Sequence, residues 1–148
     1  MVVLALAAAA AGCGSTLPHP VTQDDGGQLV TVYPSRAVRA AEATLGYRVV
    51  EPTRAVRVAS GLPLAEVIVT QVTPQKAIHY VYGDLHSRWV VVLEVPTPSP
   101  GYSYDPAAQE VLFAAHGCAI AVTTNLGNQA LDRIVRGMGG PRHATAHA

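Results

Sequence analysis

The sequence predicts an α+β domain with a largely antiparallel sheet, on three observations. Short β-branched runs follow one another at residues 64–72, 77–82 and 89–95. A segment with helical period precedes them at 36–45, and another follows at 128–138. Strands grouped between helices, rather than alternating with them, favour neighbouring antiparallel strands with the helices against one face. The expected architecture is an antiparallel sheet of five or six strands, with an N-terminal and a C-terminal helix packed on one face, spanning residues 35–138.

The chain opens on an apolar run from Val2 to Gly12 that ends at Cys13. At about 1.5 Å rise per residue such a run covers roughly half of a hydrocarbon core, too little for a spanning helix. It has the length of an export signal instead, so residues 1–12 are expected to be a signal peptide. Ala10, Ala11, Gly12 and Cys13 resemble the lipobox of bacterial lipoproteins, with Ala10 where leucine is usual and no Lys or Arg ahead of the run. That resemblance implies cleavage before Cys13, attachment of diacylglycerol and further fatty acid such as palmitate to Cys13, and a lipid-anchored location on the extracytoplasmic side of the cell membrane. Two or three buried acyl chains hold a protein at a membrane without any transmembrane helix.

Residues 13–34 are rich in Gly, Pro, Thr and Asp, which predicts a flexible spacer behind the lipidated cysteine. Ser35 is a candidate N-cap, and Val38, Ala41 and Leu45 recur at helical spacing before Gly46. Residues 47–50 read as extended and halt at Pro52. In the third strand the pleat sets Trp89, Val91, Leu93 and Val95 against Arg88, Val90, Val92 and Glu94. The first set is wholly apolar and the second only in its middle, so the strand should be central, covered on one side and partly on the other.

Residues 96–106 carry four prolines and predict a long surface loop. His116-Gly117 reads as a hairpin turn between 110–115 and 118–124, with a helix over 107–115 as the competing reading. Asn128 is a candidate cap for a last helix carrying Leu131, Ile134, Val135 and Met138 on one stripe. Gly139, Gly140 and Pro141 end it, leaving 139–148 as a disordered tail that includes His143 and His147.

The Leu45-Gly46-Tyr47 helix end, Val49-Val50-Glu51-Pro52, the run of strands and the closing Leu131, Ile134 and Val135 helix are similar to a domain of unknown function in extracytoplasmic bacterial proteins. That domain occurs in lipoproteins and in envelope-stress or anti-sigma-like proteins of Gram-positive bacteria. The resemblance implies a membrane-held sensory or binding module and carries no catalytic residues with it.

Composition narrows the function classes. The 148 residues hold ten basic and ten acidic side chains, and the pI is near 7.0, so nothing in the overall charge points to nucleic acid or an anionic membrane surface. With Cys13 lipidated, Cys118 has no partner for an intrachain disulfide. No G-x-S-x-G, phosphate-cradling glycine loop or paired-carboxylate spacing occurs. His79, His86, His116 and Cys118 lie near strand ends but lack metal-ligand spacing, so neither metal nor cofactor is expected. Cys118 reads as a buried thiol more than as one activated by His116. Tyr80 and Tyr82 read as packing residues, whereas Tyr102 and Tyr104 in the proline-rich loop are candidate partner contacts. The expected function is a non-enzymatic binding or sensing lipoprotein of the cell envelope. The alternative is a carrier of an apolar ligand held between sheet and helices.

Overall fold

Eight strands form one antiparallel sheet in a computed structural model that describes residues 19–72, 75–97 and 101–142. In chain order they are β1 (Val21–Asp25), β2 (Gln28–Pro34), β3 (Leu64–Val72), β4 (Gln75–Gly83), β5 (Trp89–Pro96), β6 (Ser103–Asp105), β7 (Glu110–Ala115) and β8 (Cys118–Thr124). Three short helices accompany them: α1 (Val38–Ala43), α2 (Thr53–Ser60) and α3 (Asn128–Gly137). The sheet runs β1-β2-β3-β4-β5-β8-β7-β6. Cys13, the signal segment, His143 and His147 lie outside the described residues. Among the described residues no helix is long and apolar enough to cross a membrane.

This corrects the expected fold class: the described residues form a sheet of eight strands rather than five or six, with three short helices rather than one at each end. Residues 21–34, read as spacer, form the first hairpin, so α1 is internal and not N-terminal. Its two-residue turn takes Gly26 and Gly27 at φ +61° and +90°, which side chains other than glycine resist, and the Asp24 Oδ1 accepts the Gly27 N–H at 3.0 Å. Ser103–Asp105, within the proline-rich stretch, pairs with β7 as an edge strand. The helix α2 follows Pro52 and ends on Gly61 at φ +71°, a left-handed cap that glycine adopts without strain.

Helix starts also differ from expectation. Ser35 opens a 3-10 turn, Ser35–Ala37, and supplies no side-chain cap bond. The cap of α3 is Gly127, whose N–H is taken by the Gln109 Oε1 at 2.6 Å, while the Asn128 amide reaches the Pro106 carbonyl at 3.3 Å. The His116-Gly117 hairpin forms as expected, with β7 and β8 paired as strands.

The helices bury Ala41, Val56, Leu131, Ile134 and Val135 against Val67, Ile78, Tyr80, Tyr82, Phe113 and Ile120 of the sheet. Helices α2 and α3 touch where Gly137 approaches Ala55: a Cβ on Gly137 would sit 2.9 Å from the Ala55 Cβ. Strand β5 is central, but its covered face is the one carrying Val90, Val92 and Glu94, all fully buried. The wholly apolar set, Trp89, Val91, Leu93 and Val95, shares the other face with Ile68, Val81, Ala121 and Leu112. None of those residues belongs to the helix-covered core.

Candidate functional site

Residues 46–52 link α1 to α2 as an irregular strap laid over one end of the sheet. Gly46, at φ +76°, turns the chain out of α1. Three polar contacts then hold the strap down. The Tyr47 hydroxyl lies 3.2 Å from the Lys76 carbonyl and 3.3 Å from the Glu94 carbonyl, and donates between them. The Val50 N–H donates to the Glu94 Oε2 at 2.9 Å. The Cys118 Sγ reaches the Arg48 carbonyl at 3.8 Å.

Glu94 is the unusual member. It lies on the helix-covered face between Ile78 and Ile120, fully buried, and its Oε1 has no hydrogen-bond partner among the described residues. Burial pushes its carboxyl up to about 7; the Val50 N–H opposes that shift and Glu42 adds to it. Burial also raises the Tyr47 phenol, with Cys118 and Glu94 contributing. The Tyr80 hydroxyl donates to the Glu42 Oε1 at 2.9 Å, and its phenol is raised by burial first and that bond second. Sequence reasoning missed Glu94, because a carboxylate at the end of a valine-rich strand reads as a solvent-facing position.

Above the strap is a cleft of about 740 Å³, lined by Arg39, Glu42 and Ala43 of α1, residues 47–51, and His116. His116 holds a left-handed backbone, φ +50°, as the first central residue of the two-residue hairpin turn between β7 and β8. Arg39 and Arg48 are exposed and make no ion pair among the described residues. The lining thus carries Arg39, Arg48 and His116 together with the carboxylates of Glu42 and Glu51, and a guanidinium fork can take a carboxylate or phosphate by bidentate hydrogen bonds. The cleft opens to solvent.

The residues singled out from the sequence are dispersed. His79 is buried on the helix-free face, its Nε2 lying 3.4 Å from the Thr70 Oγ1, and burial lowers it to about 4. His86 sits in the exposed β4–β5 turn, and Cys118 is a buried free thiol on the helix-covered face. Burial, with Glu94 nearby, raises the Cys118 thiol, the opposite of activation. Among the described residues no three His, Cys, Asp or Glu side chains group as metal ligands. Tyr102 is 54% exposed just before β6, whereas Tyr104, in β6, is half-buried against the core. Neither lines the cleft.

No protein-family model, curated protein or solved structure matches this chain.

Proposed function

We propose that this protein is a non-enzymatic binding module of the cell envelope, held to the membrane by lipid on Cys13, that captures an oxyanion-bearing partner in the cleft beside His116. The observation that carries the binding reading is the pair of guanidinium groups, Arg39 and Arg48, on a cleft wall with no ion-pair partner among the described residues. Two guanidinium groups on one cleft can share an oxyanion by bidentate hydrogen bonds, in competition with the Glu42 and Glu51 carboxylates of the same lining. The tether rests on the sequence Ala10-Ala11-Gly12-Cys13. Binding at the surface fits the interior better than carriage of an apolar ligand, since Tyr80, Tyr82, Phe113 and Ile134 fill the layer between sheet and helices.

Two measurements test the two halves. Intact-mass analysis of membranes from the native host should find a chain that begins at an acylated Cys13, and a Cys13→Ala variant should leave the membrane fraction; equal retention of both would refute the tether. Calorimetric titration of the full chain with inorganic phosphate and with succinate should give saturable binding that Arg39→Ala and Arg48→Ala each weaken at least fivefold. Unchanged titrations in both variants would refute the cleft.

A further inference from the structure

The neutral overall charge conceals a two-sided molecule. No arginine lies on a strand, and the single lysine, Lys76, directs its Nζ to the Thr44 carbonyl on the helix side. The helix-free face carries Asp25, Glu66, Asp105 and Glu110 around its apolar centre and neither Lys nor Arg. On the opposite side, α2 and α3 pack together and present Arg54, Arg57, Arg133 and Arg136 to solvent. One aspartate offsets them: Asp132 pairs with Arg136 at 2.7 Å. Among these arginines stands Val58, 81% exposed and held out on α2.

We propose that the outer surface of α2 and α3 docks on an anionic lipid bilayer, with the arginines on headgroup phosphates and Val58 entering the boundary with the acyl chains. A surface that mixes arginine with an exposed apolar side chain fits the headgroup region, where both charge pairing and apolar burial are available. Nucleic acid fits it less well, because neither helix carries an aromatic side chain on which a base could stack. The same contact turns the acid-rimmed apolar sheet face away from a negatively charged membrane. The inference stands apart from the cleft and from lipid on Cys13, since it uses residues of neither.

Each basic residue near an anionic membrane strengthens partitioning about fivefold at moderate salt. The test is co-sedimentation of the full chain carrying Cys13→Ala, so that no acyl chain contributes, with vesicles of phosphatidylcholine alone and of phosphatidylcholine with phosphatidylglycerol. Binding to the anionic vesicles should be at least tenfold tighter and should weaken as salt rises from about 0.05 to 0.5 M. Arg54→Glu with Arg57→Glu should remove at least tenfold of it without changing the thermal midpoint, and Arg54→Lys with Arg57→Lys should keep most of it. Should the reversed pair unfold the protein, Arg133→Gln with Val58→Ser carries the same expectation. Equal partitioning onto both vesicle types would overturn the proposal, as would full anionic binding by folded charge variants. Tighter binding of a short DNA duplex than of anionic vesicles would also overturn it and assign the surface to nucleic acid.

Discussion

The Glu94 carboxylate accepts the Val50 N–H at 2.9 Å with one oxygen, and its other oxygen, buried, has no partner among the described residues. A buried carboxyl so placed costs free energy whenever it ionises, because only one of its oxygens recovers what water supplied. The strap that forms the cleft floor is therefore fastened to a group whose charge changes near neutral pH.

Stability should follow that proton. Burial raises Glu94 from 4.5 to about 7, so between those values the folded chain keeps a proton that the unfolded chain releases. Its contribution is full below about 4.5 and is lost as pH rises through 7, a difference of about 3 kcal/mol. Glu94→Gln removes the titration. Urea unfolding at pH 5 and pH 8 should show the variant gaining on the wild type by about 2–3 kcal/mol between the two conditions. A gap that does not move with pH would show that Glu94 titrates normally.

His79 should oppose it. Burial lowers the imidazole from 6.5 to about 4, so its contribution is full above 6.5 and is lost as pH falls through 4. The two windows overlap and the slopes have opposite sign, so these groups nearly cancel in the wild type. His79→Leu should leave a chain whose stability rises on acidification from pH 6.5 to 4.5, by about 2–3 kcal/mol. Thermal midpoints across that range read the sign directly, and a flat profile in the variant would contradict it.

The turn before β8 should be improvable. His116 occupies a left-handed conformation beside Gly117, where asparagine is tolerated better and Asn-Gly is a favoured pair for a two-residue hairpin. His116→Asn is expected to stabilise the fold by about 0.5–1 kcal/mol in denaturant unfolding. A loss of stability would mean that the imidazole makes contacts outweighing the backbone strain.

Gly83 should tolerate nothing larger. Its φ is +77°, and a Cβ there would lie 2.2 Å from the Arg88 carbonyl oxygen, across the turn that joins β4 to β5. Gly83→Ala should lose more than about 2 kcal/mol. Gly101→Ala, where a Cβ meets nothing within 4 Å, should be near neutral, and equal effects at the two sites would remove the steric explanation.

Local pattern carried much of the fold. The strands around Val67, Ile78 and Val92 were legible because β-branched residues alternate there between turn residues, and α3 because Leu131, Ile134 and Val135 share one stripe. The first hairpin was not, since β1 is a fully exposed edge strand, Val-Thr-Gln-Asp-Asp, whose residues read as spacer. Helix α2 escaped notice because its eight residues bury only Ala55 and Val56, too few to mark a period. The cleft gathers α1, the strap and a turn more than sixty positions away in sequence, so no local spacing announces it.

By itself the sequence determined the antiparallel character of the sheet and the closing helix, and it raised the expectation of lipid on Cys13, because each depends on residues within one short window; the structure chose the His116-Gly117 hairpin over a helix across 107–115. Only the tertiary structure decided which face of β5 the helices cover. Alternation states that two faces differ but not which one meets a helix, and here the set bearing Glu94 is buried while Trp89, Val91, Leu93 and Val95 line the helix-free side. Charge follows the same logic: composition sums to zero, whereas folding places Arg54, Arg57, Arg133 and Arg136 together on α2 and α3 and the acidic rim on the other face of the sheet.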